Sequence, residues 1–253
     1  MRVLDFPPVV FVLSFILLWL STRVGGALRK RHELKQEARE EFNVIQAATL
    51  TLLGLLVGFT FSMAVSRYDQ RKNYEEAEAN AIGTEFVRAD LLGAPDGAKV
   101  RALLRSYLDQ RVLFYATRDP QELAQVNART ARLQSELWAA VAPQAAAQPT
   151  AISALVAAGM NDVLNSQGYA QAAWWNRIPL AAWLLMTVIA FCCTLSVSYG
   201  ARNPQANPAL LLVLPFVLSI SFFLIADIDS PNGGVIRVSA QNLISLAQSL
   251  RMQ

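Results

Sequence analysis

The sequence has little charge, almost no histidine and only two cysteines. Charged residues make up 16% of the 253-residue chain and hydrophobic residues 54%, whereas about 25% of the residues in an ordinary soluble domain are charged. The one histidine, His32, has no second histidine with which to share a metal ion. The adjacent Cys192 and Cys193 lie in an apolar run and cannot supply a zinc site. This composition predicts a membrane protein and no metal centre.

The motifs of common enzymes are also missing from the sequence. We find no glycine-rich phosphate loop before a lysine, no nucleophile elbow, no histidine-bearing metal motif and no carboxylate within the predicted spans described below. The net charge of +3 is too small for the basic face of a typical nucleic-acid-binding domain. We therefore expect that the chain is not an enzyme, takes no cofactor and binds no nucleic acid.

Long runs without a charged residue are the strongest signal in the chain. A helix needs about 20 residues to cross the hydrocarbon layer, where an unpaired charge is costly. Four runs meet this condition and predict membrane spans: Phe6–Thr22, Val44–Ser66, Ile178–Tyr199 and Pro208–Ala226. Only Gly200–Asn207 connects the last two, which predicts a tight antiparallel hairpin.

The first span has a second interpretation, as a cleaved signal peptide. Its apolar centre is compact, but a small-x-small cleavage site is missing. The basic residues Arg29, Lys30 and Arg31 follow it, as in a stop-transfer flank. We favour a span that is retained.

The segment between the second and third spans predicts helices, because alanine, leucine, glutamine, glutamate and arginine fill it. Breaks are expected at Gly93–Gly97, at Asp119–Pro120, where Asp119 looks like a helix cap, and at Pro143–Pro149. One set of apolar residues recurs at helical spacing and predicts a buried stripe: Leu103, Leu104, Tyr107, Leu108, Val112 and Tyr115. No turn signal beyond Gly83 interrupts Ser66–Glu85, so the second span should continue as one long helix.

The predicted fold is an all-α integral membrane protein with four transmembrane helices in two hairpins. The expected parts are a first hairpin at 1–66, a helical extramembrane domain at 67–177, a second hairpin at 178–226, and a C-terminal tail with a short helix at 227–253. Within the second span, Gly54 and Gly58 form a small-xxx-small pair that allows close helix packing. Glycine is also simply common in membrane helices, and this explanation stays open.

A dense charged group follows the second span: Arg67, Asp69, Arg71, Lys72, Glu75, Glu76, Glu78 and Glu85. Pairs one helical turn apart predict a solvated helix face. The alternative is a charged ring around the axis of an oligomer, for which the candidates are Arg67, Arg71, Glu75 and Glu78.

Two segments resemble parts of the bestrophins, which are oligomeric anion or cation channels. Leu55–Tyr68, with its Gly-Phe and Arg-aromatic steps, resembles their second membrane helix. Asp227–Gly233 resembles the acidic Pro-Phe-Gly turn after their last helix, with Asp227, Asp229, Pro231 and Gly233 at the matching places and Asn232 replacing the phenylalanine. The whole layout, including 78–81 and 88–91, is similar to a bacterial family described as a bestrophin-like domain of unknown function.

The resemblance implies a homo-oligomer, a pentamer in the bestrophins, whose second helices line a pore for small ions. Its narrow neck would be built from Thr51, Leu55 and Phe59, which lie one turn apart, and apolar rings can gate a pore by dewetting. Alternatively, Leu55 and Phe59 face lipid or a neighbouring helix. The calcium-binding clasp of animal bestrophins is not expected here, because Val235–Leu243 contains no carboxylate.

The expected location is the bacterial inner membrane, which the chain crosses several times. Lysine and arginine are almost equally numerous on the two sides of the spans, so their distribution does not fix the orientation. The resemblance implies that both termini and the helical insert are cytoplasmic. A second hypothesis for function is a non-conducting membrane scaffold whose helical insert binds a partner protein.

Overall fold

The structure is a computed structural model that describes residues 3–32, 36–201, 209–231 and 233–252. Its eight α-helices in these ranges are α1 Pro7–Arg31, α2 Ala38–Arg88, α3 Ala94–Ala116, α4 Pro120–Ala147, α5 Ala151–Trp175, α6 Leu180–Gly200, α7 Leu210–Asp229 and α8 Gln241–Arg251. Two short 3-10 helices cover Val3–Asp5 and Ala89–Leu91. The described ranges contain no strand, and the predicted all-helical class is confirmed.

The chain forms two compact units. Unit 1 consists of Met1–Arg67 and Arg177–Arg237, and unit 2 of Tyr68–Asn176 and Val238–Gln253. The 51-residue helix α2 contributes residues to both. The prediction that the second span continues as one long helix is therefore confirmed.

Unit 1 contains helices that could cross a membrane. Within the described residues, four helical stretches are long and apolar enough to do so: Pro7–Arg31, Ala38–Leu91, Ala151–Gly200 and Leu210–Asp229. Each predicted span overlaps one of these stretches. The predicted connection at Gly200–Asn207 and the first residue of the fourth span, Pro208, fall largely outside the described residues.

Helix α1 packs against α6 and α7, and its contact with α6 uses small and hydroxyl-bearing residues. Ser21 Oγ donates a hydrogen bond to the carbonyl oxygen of Phe191 at 2.7 Å, and Ser198 Oγ donates to that of Thr22 at 2.6 Å. A Cβ atom added to Gly25 would overlap the carbonyl oxygen of Leu195. Close contact of this kind holds membrane helices together.

Unit 2 surrounds a hydrophobic core to which α2, α3, α4, α5 and α8 all contribute. The predicted apolar stripe forms part of this core, and Leu104, Tyr107 and Leu108 on α3 are at most 1% exposed. The stripe therefore serves packing, as its spacing indicates.

The breaks in unit 2 follow the sequence signals at two of three places. Gly93 precedes α3, and Asp119 caps α4 by accepting a hydrogen bond from the backbone N–H of Gln121 at 2.9 Å. The third break, predicted for Pro143–Pro149, begins later than predicted, because α4 continues through Pro143 to Ala147 and α5 starts at Ala151. Pro143 is exposed, so water can satisfy the carbonyl that loses its donor.

Candidate functional site

One face of α2 in unit 1 carries the three predicted neck residues, and all three are exposed. Thr51, Leu55 and Phe59 follow one another at intervals of one helical turn, with Leu55 51% and Phe59 63% exposed. The opposite face of the helix is buried at Leu53 and Ala64. The fold thus leaves a row of exposed side chains on α2 that the described residues cover only in part.

The glycine pair lies beside this row on the same exposed face. A Cβ atom added to Gly54 or Gly58 would meet nothing within 4 Å. Neither glycine therefore serves helix packing within the chain, and the helix backbone is left open there. Together, Thr51, Leu55, Phe59 and the two glycines form what we call the open face of α2.

A second cluster lies in unit 1, where Asp229 ends α7. The Asp229 carboxylate is 2% exposed, accepts a hydrogen bond from Arg177 Nε at 3.0 Å and accepts another from the backbone N–H of Ile178 at 3.2 Å. Arg67 Nη1 lies 3.8 Å from the same carboxylate, and Arg177 Nη1 also pairs with Asp5 at 3.0 Å. One carboxylate thus fixes the end of α7 beside the residues that precede α6 and beside Arg67 of α2.

The turn after α7 is held by Asp227. Its two carboxylate oxygens accept hydrogen bonds from the backbone N–H groups of Val235 at 2.8 Å and Ile236 at 2.9 Å. Ser230 Oγ accepts another from the N–H of Gly233 at 3.1 Å, and a Cβ atom at Gly233 would overlap the carbonyl oxygen of Asp5. The half-buried Pro231 lies within the same turn. Asp227 therefore binds backbone amides in this arrangement.

In unit 2, half of the charged group on α2 is buried. Arg71, Glu75, Glu78 and Glu85 are at most 2% exposed, whereas Asp69, Lys72 and Glu76 are exposed. The predicted solvated face is therefore wrong for these four side chains. They recur at the spacing that also buries Ile82 and Phe86, so they lie on the core side of the helix.

Glu78 forms an ion pair with Arg111 of α3 inside unit 2. Arg111 Nε and Nη2 donate to the two carboxylate oxygens, and the Tyr115 hydroxyl donates to Oε2 at 3.3 Å. Both charged side chains are 0% exposed, and the guanidinium carbon lies 4.4 Å from the centre of the Phe114 ring. Burial raises the pKa of Glu78, while the guanidinium opposes that shift. Burial, together with the Glu78 carboxylate, also raises the pKa of Tyr115.

Glu75 holds the N-terminus of α8. Its Oε1 accepts from the backbone N–H groups of Asn242 and Leu243, both at 3.0 Å, and its Oε2 accepts from Asn242 Nδ2 at 2.7 Å. Glu75 and Glu78 are therefore bound within one chain. Among the ring candidates, Arg67 is half-buried and paired with Asp229, and Arg71 is buried. The structure does not bring the four together as one exposed set.

A family model described as the bestrophin-like domain matches residues 9–243. The chain belongs to the bestrophin-like family. No curated protein sequence matches it at a significant level.

Solved structures with the same fold include bestrophin homologues. A crystal structure of a bacterial bestrophin homologue from Klebsiella pneumoniae has 15% sequence identity and a TM-score of 0.65, covering 95% of this chain and 96% of that one. A variant of a bacterial bestrophin homologue from the same organism has 14% identity and a TM-score of 0.68, covering 95% and 97%. A crystal structure described as a membrane protein has 14% identity and a TM-score of 0.67, covering 94% and 97%. At this identity the similarity shows the fold.

Sequence reasoning on this bestrophin-like chain missed the partners of the buried charges. Arg177 meets Asp229 across 52 residues of sequence and Asp5 across 172, and Arg111 meets Glu78 across 33. One signal was available: Arg111 interrupts an otherwise apolar stripe between Leu108 and Val112. A charge within a buried stripe predicts a buried partner of opposite sign.

Proposed function

We propose that the chain is an oligomeric ion channel in which α2 of each copy lines a central axis. The observation that carries the proposal is the open face of α2, where Leu55 and Phe59 are exposed beside two uncovered glycines. Membership of the bestrophin-like family supports it, because the sequence resemblance implies a pentamer with a neck at Thr51, Leu55 and Phe59.

The chemistry of the open face suits a narrow neck. Rings of leucine and phenylalanine around an axis exclude water from a narrow pore and so control ion passage. Gly54 and Gly58 leave room for the helix of a neighbouring copy to approach, as small residues do in membrane interfaces. Large apolar side chains also face lipid in membrane proteins, so the proposal depends on the row and the glycines together.

The proposed arrangement places two transmembrane hairpins, at 1–66 and 178–226, in the bacterial inner membrane. The helical insert at 67–177 lies outside the membrane, with the insert and both termini in the cytoplasm. The four-residue charged ring is left out of this proposal, because Glu75 and Glu78 are bound within the chain.

Ion flux from liposomes that contain the purified protein tests the proposal. We expect flux down an anion or a cation gradient. Phe59→Ala should increase it severalfold, because a smaller ring is wider and wets more easily. Phe61→Ala is the matched control, since Phe61 is a 41% exposed phenylalanine two residues further along the same helix, about 200° of helix rotation from Phe59, and its truncation should not widen the neck.

Two results would contradict the channel. One is the absence of ion flux from liposomes with correctly folded protein under both anion and cation gradients. The other is an equal change of ion flux in the two phenylalanine variants. Absence of ion flux, together with a monomer or dimer on crosslinking, would favour the scaffold hypothesis. A scaffold could not use the apolar stripe of α3 for its partner, because Leu104 and Leu108 are buried in unit 2.

A further inference from the structure

Glu85 is a buried carboxylate that accepts no hydrogen bond from any residue that the structure describes. It lies on α2 within unit 2 and is 0% exposed, and both Oε1 and Oε2 are out of reach of solvent. The other buried carboxylates of the described ranges, Glu75, Glu78, Asp227 and Asp229, all accept hydrogen bonds. An ionised carboxylate in such a position is strongly disfavoured, so the neutral, protonated acid is the form that fits.

A glycine on α5 makes room for this side chain. A Cβ atom at Gly159 would overlap both Glu85 Oε2 and Arg88 Nη1. Any other residue at position 159 would therefore displace the two side chains or push α5 away from α2. The absence of a side chain at Gly159 leaves the space that the Glu85 carboxyl group occupies.

Two charged groups act on Glu85 in opposite directions. Burial is the largest of the causes that together raise its pKa to about 8; Arg88 on its own helix opposes this rise, and Asp162 on α5 adds to it. Among the other helices of unit 2, α3 contributes Arg111, which is bound to Glu78, and the core side chains include the apolar Leu104 of α3, Leu137 of α4 and Leu243 of α8. The carboxyl group thus changes its charge slightly above neutral pH, at the contact between α2 and α5.

We propose that Glu85 is a proton-operated latch that holds α5 against α2 within unit 2. In the protonated form the carboxyl group of Glu85 stays in the space beside Gly159. Loss of the proton leaves a buried charge that Arg88 offsets only in part, and α5 opens from α2 so that water can reach the carboxylate.

The sign of the pH dependence follows from the raised pKa. Between the ordinary pKa of 4.5 and about 8, the closed form binds one proton more than the open form. The stability of the closed form is therefore greatest at acidic pH and is lost as the pH rises through about 8. Each pH unit in this window changes the opening equilibrium about tenfold.

Hydrogen exchange of the detergent-solubilised full-length protein tests the latch. After correction for base-catalysed exchange, the protection factor of α5 amides around Gly159 should fall by about tenfold per pH unit and level off near pH 8. Glu85→Gln, which imitates the protonated acid, should remove the slope. Glu76→Gln, at an exposed position of the same helix, should keep it.

A second pair of variants separates the latch from a merely structural role and keeps Glu85 in place. Asp162→Asn should move the midpoint of the transition to lower pH, and Arg88→Gln should move it to higher pH. The proposal is overturned if the wild type shows no slope, if Glu85→Gln retains it, or if both of these variants shift the midpoint in the same direction. These readouts do not depend on ion flux, so the latch can fail while the channel proposal stands.

Discussion

Single carboxylates hold the helix ends of unit 1. Asp229 pairs with Arg177 and Arg67 and accepts the N–H of Ile178, while Asp227 accepts two backbone N–H groups of the following turn. Both are 2% exposed. A buried acceptor of this kind stabilises mainly because its donors would otherwise be left without partners.

Asp229→Asn keeps the size of the side chain but removes the charge that faces Arg177 and Arg67. We expect a loss of about 2 kcal/mol in the free energy of unfolding, because the arginines keep only partial access to water. In a thermal melt of the detergent-solubilised protein this corresponds to a decrease of roughly 6 °C. Asp69→Asn, at an exposed position, is the control and should change the melting temperature little. Equal melting of the Asp229 variant and the wild type would show that the carboxylate does not stabilise the fold.

At the scale of single residues, the sequence predicted where the residues of this turn lie better than it predicted which residues they contact. Asp227, Asp229, Pro231 and Gly233 were recognised as one turn, and the structure brings them together at the end of α7. The arginine that meets Asp229 was not foreseen, because a pairing over 52 residues depends on the packing of whole helices.

At the scale of helices, α8 depends on a residue from another helix. Its N-cap residue, Ala240, offers no side-chain cap, and Glu75 of α2 accepts the N–H groups of Asn242 and Leu243 instead. A carboxylate at a helix N-terminus is also favoured by the helix dipole. At the other end, Arg105 Nε donates to the carbonyl oxygen of Leu250 at 3.2 Å. Charges of the favourable sign thus fix both ends of α8.

Glu75→Gln should loosen α8. The amide keeps one acceptor but loses the charge and places a donor against Asn242 Nδ2, so we expect hydrogen exchange in α8 to increase roughly tenfold. Glu76→Gln changes the neighbouring exposed carboxylate in the same way and should leave the exchange of α8 as in the wild type. If both variants exchanged at the wild-type rate, Glu75 would not be the cap.

Helix boundaries were predictable where a local signal decides them. Asp119 before Pro120 correctly predicts the start of α4. Pro143 does not end that helix, because the buried Val141 holds it in the core and the proline itself lies on the exposed side. The prediction of a solvated face on α2 was wrong for a related reason. Glu78 and Glu85 lie on the same side of the helix as Ile82 and Phe86, and the side chains on that side are buried even where they are charged.

For the whole molecule, the long charge-free runs and the resemblance predicted the all-helical class and the family, and both are confirmed. The proposed pore depends on the open face of α2, and the exposure of Leu55 and Phe59 on that face depends on how the other helices of unit 1 pack. The sequence could name Thr51, Leu55 and Phe59 as a row, but not that their own chain leaves them uncovered.

Single-particle imaging of the detergent-solubilised protein tests the central claim most directly, because it counts the copies and identifies the helix nearest the axis. The channel proposal predicts a closed ring, of five copies by the resemblance, with α2 innermost and the narrowest point at Thr51, Leu55 and Phe59. Particles that contain one or two copies, or a ring whose axis is lined by another helix, would contradict it.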